Sequence, residues 1–317
     1  MILTPKQLKS IIHGAYQFKD EDGYTVCCRV TDAQMEYYKS VEIFYVRAHH
    51  TGAVHADLRT NATEIGFDYK LDYIVSTGSI DVCVDGVPCH VFPMGDITEG
   101  HFSCKLPAGM KTVQIYFPNY CRLMLRNFTL NGSFTPTRRR TKVLWLGDSI
   151  TQGAGSQNVG SMMSSGSYVN LTTRTLGYDS LDQAIGGLMY DDGYMLPLEG
   201  YTPNKIIVSL GTNGCGGADF ADRAERFYAA LNRLYSGIPT LVISPIWRAD
   251  DACAFLPGNL EKVRQICAKY PNIAIVNGFT LMPNLPELLH EDKVHPNLLG
   301  HKYYADNLIR TIRGLHF

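Results

Sequence analysis

Three residue types that together can carry out acyl transfer occur in this chain. The stretch "LWLGDSITQGAG" (144–155) ends an apolar run on Gly147, Asp148 and Ser149. A serine hydroxyl is a weak nucleophile at neutral pH. It needs a base within hydrogen-bond reach, and the base needs a third group to fix its tautomer and stabilise its imidazolium. "HEDKVHPNLLGH" (290–301) offers His295 as the base. Asp292 lies three residues earlier, so one turn of a loop aims its carboxylate at the second imidazole nitrogen. Pro296 stiffens the backbone after the histidine, and Asn297 is placed to cap the helix that follows. The reaction also needs donors for an oxyanion. The backbone N–H of Ser149 is unpaired at a helix start, near the positive end of the dipole. A glycine of the Gly186-Gly187 pair offers a second backbone N–H, and Asn213 offers a side-chain N–H. Losing one such donor costs about 3 to 4 kcal/mol of barrier lowering.

Taken singly, each feature has a plainer reading. Ser149 suits a helix cap, Asp292 and His295 a loop pairing, Gly186-Gly187 and Asn213-Gly214 tight turns. Their order and placement argue for more, because each falls at the carboxyl end of an expected strand. "KVLWLG" (142–147), "SLDQAIGG" (180–187), "KIIVSLGT" (205–212), "PTLVISPIW" (239–247) and "IAIVNG" (273–278) read as short buried strands. Between them, 167–176, 219–237 and 258–270 read as helices, and a last helix runs from about Leu298 to Arg313. The last helix is expected to turn Leu298, Leu299, Tyr303, Leu308, Ile309 and Ile312 to the core. Such alternation implies a parallel sheet covered on both faces, with ligands at the carboxyl ends of its strands.

The first part of the chain follows a different pattern. After a short helix within residues 1–14, runs rich in β-branched and aromatic residues recur between turn signals. They are 41–50, 55–71, 79–92, 101–107, 111–118 and 121–132, with Asp85-Gly86 as a hairpin signal. This spacing predicts an antiparallel sandwich. The expected division is an all-β domain over 1–137 and an α/β domain over 138–317. His49-His50, in a strand-like run, reads as a structural pair.

Composition limits the function classes. The chain has 317 residues, 45% hydrophobic and 19% charged, with a formal net charge of −1. A near-neutral balance argues against a nucleic-acid partner or a polybasic membrane patch. The Arg138-Arg139-Arg140 run reads as a solvated linker. No run approaches the ~20 apolar residues that span a bilayer, and no export signal is evident, so a cytoplasmic protein is expected. Nine cysteines without paired spacing read as reduced thiols. The ten histidines show no zinc-ligand spacing, and neither a metal nor a cofactor is expected. A homo-oligomer is compatible with this composition.

The blocks Gly147-Asp148-Ser149-Ile150, Ala184-Ile185-Gly186-Gly187, Gly211-Thr212-Asn213-Gly214 and Asp292-Lys293-Val294-His295 resemble the four signature blocks of the SGNH (GDSL-type) hydrolase superfamily. The resemblance covers roughly 141–317. It implies a flavodoxin-like three-layer α/β fold, with Ser149 as nucleophile, His295 as base and Asp292 as its orienter. It also implies an oxyanion hole of the Ser149 N–H, the Gly187 N–H and the Asn213 side chain, Gly186 being the rival for the second donor. Two positions depart from the pattern. Gly214 stands where Asp is usual, which bears on the support of the Asn213 loop, and Ile150 replaces the namesake Leu. A β-sandwich ahead of such a domain is similar to the layout of family 2 carbohydrate esterases, whose front domain is a jelly roll. By that analogy the expected substrate is a short acyl ester, acetyl above all, on a small molecule or oligosaccharide. Trp247 is then a candidate to stack on a sugar face, and Arg248 to meet its hydroxyls. Asp191-Asp192 is expected to face solvent. Two alternatives are a lysophospholipase or thioesterase, and a glycan-binding protein without activity.

Overall fold

A computed structural model of the protein describes residues 1–156 and 163–317. Three sheets organise it. Two are antiparallel. One runs in the order Ile12–His13, His55–Thr60, Lys111–Tyr116, Ser79–Val84, Val87–Pro93, with Phe134–Pro136 also paired to His55–Thr60. The other runs Gln17–Glu21, Tyr24–Cys28, Arg122–Leu130, Glu64–Asp72, Glu99–Lys105. Alternate residues from both sheets meet in one core: Ala56, Leu58, Val113 and Ile115 from the first, Ile65, Phe67, Leu123 and Leu125 from the second. That is the sandwich expected from the spacing of β-branched and aromatic runs between turn signals. Asp85 and Gly86 join two of its strands with φ of 49° and 82°, the two positive values that a type I′ hairpin turn requires.

The third sheet is parallel throughout, in the order Tyr178–Asp182, Thr141–Gly147, Lys205–Ser209, Thr240–Ile243, Ile273–Val276. Its topology is the flavodoxin-like 2-1-3-4-5 arrangement, in which the chain reverses direction across the sheet beside the first strand. Helices Tyr168–Leu176 and Leu298–Gly314 pack on one face, Phe220–Leu234 and Leu256–Cys267 on the other. Trp145, fully buried on the first strand, satisfies its indole N–H by donating to Ser180 Oγ at 3.0 Å. A buried indole without such a partner would cost stability.

Two sequence expectations are corrected. Residues 41–50 do not form a strand: Glu42–Ala48 is a helix. Their β-branched and aromatic residues suggested a pleated surface. Instead Val41 and Ile43 face outward, while Phe44 and Ala48, four residues apart on one helix face, pack on the core of the parallel-sheet half. Tertiary packing overrides local preference here. The preceding helix, Asp32–Tyr38, packs on the same core through Met35 and Tyr38. In the last helix the buried stripe is His301, Tyr304, Ala305, Leu308, Ile309 and Ile312. Leu299 and Tyr303 are 56% and 43% exposed. Leu308, Ile309 and Ile312 are buried as expected; nearer the start of the helix Tyr304 takes the core position in place of Tyr303, stacking on Tyr168 at 4.0 Å, a contact no helical periodicity reveals.

Among the described residues, no helix is long and apolar enough to cross a membrane.

Candidate active site

Strand Thr141–Gly147 delivers Ser149 to the carboxyl edge of the parallel sheet. The cap of the short helix Ser149–Gln152 is Asp148, whose carboxylate accepts from the Ile150 N–H at 3.0 Å. Ser149 is thereby released from the plain capping role. Its Oγ lies 2.7 Å from His295 Nε2. His295 Nδ1 lies 2.6 Å from Asp292 Oδ2, and Asp292 Oδ1 accepts from the backbone N–H of His295 (3.0 Å) and Val294 (2.9 Å). With its Nδ1 proton donated to the carboxylate, His295 presents an Nε2 lone pair to the serine hydroxyl. Burial works against the charge on Asp292. The backbone N–H of His295, its imidazole and the Val294 N–H outweigh burial and hold the carboxyl below its ordinary range. The orienting group is thus an anion throughout the neutral range.

The loop carrying His295 is held from several sides. His290 N–H donates to the His295 carbonyl at 2.7 Å, and Asn297 caps the last helix by accepting from Gly300 N–H at 3.0 Å. His301, fully buried, donates from Nε2 to the Ala154 carbonyl at 2.7 Å and accepts the Tyr168 N–H at Nδ1. Burial pushes it down to about 4, so it acts as a neutral strut.

The glycine loop reaches the serine because pairing continues past the strand ends. The Ile185 N–H donates to the Gly147 carbonyl at 3.2 Å. The two glycines are chemically unequal. Gly186 N–H is occupied by Gln152 Oε1 at 2.8 Å. Gly187 N–H and Ser149 N–H have no partner among the described residues. Asn213 donates one amide proton to the Leu188 carbonyl at 3.1 Å, leaving its second proton uncommitted among the described residues. Free donors therefore exist at Ser149, Gly187 and Asn213, as a site for a developing oxyanion requires.

Gly214 has a physical explanation. Its φ is +66°, and a β-carbon there would sit 2.4 Å from Met189 Sδ. A side chain there would have to displace the Met189 side chain and sit in the left-handed region, and the loop has support from elsewhere: Arg248 Nη1 donates to the Thr212 carbonyl at 3.0 Å.

Residues 145–303, half of the chain, match the model of the GDSL-like lipase/acylhydrolase family. The chain belongs to this family. It is an SGNH-type acylhydrolase by family. No curated protein matches it. Among solved structures, a salicylyl-acyltransferase from a tetracycline biosynthetic pathway is 21% identical, with a TM-score of 0.78 over 96% of this chain and 94% of that one. A family two carbohydrate esterase from Clostridium thermocellum, in complex with cellohexaose, is 17% identical, with a TM-score of 0.68 over 96% and 99%. A family two carbohydrate esterase from Cellvibrio japonicus is 18% identical, with a TM-score of 0.69 over 97% and 96%. At these identities the likeness is one of fold, and it includes the front sandwich as well as the parallel sheet.

Other residues singled out in the sequence of this acylhydrolase fall as follows. Trp247 is half-buried beside the core formed by Trp145 and Tyr168. Arg248 is engaged by both oxygens of Asp250 at 2.5 Å as well as by Thr212. Asp191 accepts from the Tyr37 hydroxyl at 2.7 Å, and Asp192 pairs with Arg226 at 3.3 Å. His49 stacks on Tyr73 at 3.8 Å, and His50 lies buried against Gln152.

Sequence reasoning missed the residues that support the site from the front half. The Tyr120 hydroxyl donates to the Ser149 carbonyl at 2.9 Å. Gln152 donates from Nε2 to His50 Nδ1 (2.9 Å) and the Asn119 carbonyl (3.2 Å), which turns its Oε1 to Gly186. His50 donates from Nε2 to the Tyr73 carbonyl, and burial drives it down to about 3, so it stays neutral and can accept. The only available signal was Gln152, polar and close to Ser149 in sequence.

Proposed function

We propose that the protein is a serine esterase that removes short acyl groups, acetyl above all, from carbohydrate hydroxyls through an acyl-enzyme on Ser149. The observation that carries this reading is the chain from Ser149 Oγ to His295 Nε2 to Asp292, at 2.7 and 2.6 Å. In the first step His295 takes the Ser149 proton as the oxygen attacks the ester carbonyl. The tetrahedral oxyanion is held by the N–H groups of Ser149 and Gly187 and by the Asn213 amide. His295 then gives its proton to the departing sugar oxygen. In the second step His295 deprotonates water, which attacks the acyl-serine, and then returns the proton to Ser149 Oγ as the acid is released. Asp292 keeps the imidazole in one tautomer and balances its charge while it is protonated.

The carbohydrate substrate is supported by the family two esterases that share the complete layout, one of them in complex with cellohexaose. On this reading the half-buried Trp247 is the side chain that would meet a sugar face. The salicylyl-acyltransferase of similar fold favours a second reading, in which a second alcohol replaces water in the second step. Incubation with acetylated oligosaccharides, with and without an alcohol acceptor, separates the two by mass spectrometry of the products. Free acetate with deacetylated sugar supports the esterase. Acyl transfer to the acceptor in preference to water favours the transferase, and turnover of long-chain esters alone would reject the acetyl reading.

A further inference from the structure

The loop that carries Gly187 is strapped down by two arginines from the other half of the chain. Arg29, fully buried, donates from Nη1 to the carbonyls of Asp182 (2.5 Å) and Ala184 (3.1 Å). Its Nε donates to the His50 carbonyl at 2.6 Å, and its Nη2 to the Arg47 carbonyl at 3.3 Å. Arg29 thus ties the start of the glycine loop to the end of helix Glu42–Ala48. Arg47, on that helix, then reaches over the loop: its Nη1 donates to the Gly186 carbonyl at 2.6 Å. A β-carbon on Gly186 would lie 3.1 Å from this nitrogen, and one on Gly187 would lie 3.3 Å from it and from the Phe44 ring. The guanidinium and Phe44 form a roof over both glycines.

The Gly186 carbonyl and the Gly187 N–H belong to the same peptide unit. In a planar trans peptide they point in opposite directions. A group that holds the oxygen therefore sets the direction of the N–H. Gln152 holds the preceding peptide by accepting the Gly186 N–H at 2.8 Å, so both peptide planes around Gly186 are pinned. Arg47 adds charge to geometry. A cation on the carbonyl draws electron density through the amide and makes the N–H at its other end a stronger donor. Arg47 Nε is buried without a partner among the described residues, a cost in free energy that the bond from Nη1 to the Gly186 carbonyl has to offset.

We propose that Arg47 is a positioning residue for catalysis, fixing and polarising the Gly186–Gly187 peptide so that its N–H meets the oxyanion. This rests on the reading of Ser149 as nucleophile and of Gly187 as a donor. It also gives the front half a part in the reaction: helix Glu42–Ala48 completes the oxyanion hole from outside the residues that match the family.

The test compares R47K and R47M with the wild type in steady-state hydrolysis of 4-nitrophenyl acetate, with melting temperatures measured in parallel. Donor misalignment acts in the transition state, so kcat should fall about 10- to 100-fold in R47M while KM moves less than about 2-fold. R47K keeps a cation near the carbonyl and should fall between the two. Unchanged kcat in folded R47M, or a loss confined to KM, overturns the proposal. If R47M does not fold, R47K decides: a reduced kcat at constant KM supports the role, and a wild-type kcat overturns it. S149A is measured alongside. Turnover in S149A within tenfold of wild type would reject the nucleophile itself, whereas an S149A reduced to the residual rate with fully active Arg47 variants rejects only the role of Arg47.

Discussion

Gly155 lies directly against the carbonyl of Pro296: a β-carbon built on Gly155 would stand 1.9 Å from that oxygen and 3.4 Å from His295 Cβ. The φ of Gly155 is +88°, so a side chain there is also strained in its own backbone. The loop after Ser149 and the loop that carries His295 are thus packed backbone to backbone. Gly155→Ala should push Pro296 away and carry His295 with it. Because small misplacements of a catalytic group are costly, we expect kcat to fall at least about 10- to 100-fold, with a lowered melting temperature. Wild-type kinetics in this variant would show that the two loops move independently.

Ser149→Ala should abolish ester hydrolysis to within the residual rate of a site left with binding and oxyanion donors. Asp292→Asn preserves shape but removes the anion that sets the His295 tautomer, and a loss of about 10³- to 10⁴-fold in kcat is expected. Circular dichroism and melting curves close to wild type would accompany both. Turnover within tenfold of wild type in either variant contradicts the assigned roles.

Asn213→Ala removes a side-chain donor and leaves the Leu188 carbonyl to water. The expected loss is about 10²- to 10³-fold in kcat, with KM little changed, as for other single oxyanion donors. A loss expressed in KM instead would place Asn213 among the groups that bind the ground state.

Asp148 offers a stability test. Its carboxyl is buried behind Ser149, and burial pushes it up to about 6 against the Ile150 N–H that it accepts. A carboxyl raised in the folded state holds its proton to higher pH than the same group in the unfolded chain. Between about pH 4, where the unfolded group ionises, and about pH 6, stability therefore falls as pH rises, and the full penalty is present above that. Asparagine is an equally good helix cap and carries no charge to bury. Asp148→Asn should raise the melting temperature at about pH 8 and lose that advantage at about pH 4. A gain independent of pH would mean that the buried charge is not its source.

Much of the site is legible in the chain because its chemistry sits at strand ends. Five apolar runs alternate with helices, and that alternation alone dictates a parallel sheet whose carboxyl edge collects whatever follows each strand. Ser149, Gly187, Asn213 and the Asp292–His295 pair occupy those places, and their residue types name the chemistry. The antiparallel front sheets are legible for the same local reason: β-branched and aromatic runs and turn residues such as Asp85-Gly86 are properties of neighbouring positions.

What neighbouring positions do not encode is contact between distant segments. The composition of 41–50 suggests a strand, yet the segment is a helix, because Phe44 and Ala48 find a surface on the other half of the chain. Arg47 meets Gly186 across 139 residues, and Gln152 chooses Gly186 over Gly187 only because His50 and Asn119 hold its amide. Local sequence determined most of the elements and the candidate reacting groups. Only tertiary packing decided which glycine keeps a free N–H and which side chain aims it, since a hydrogen bond between remote residues leaves no periodicity to read.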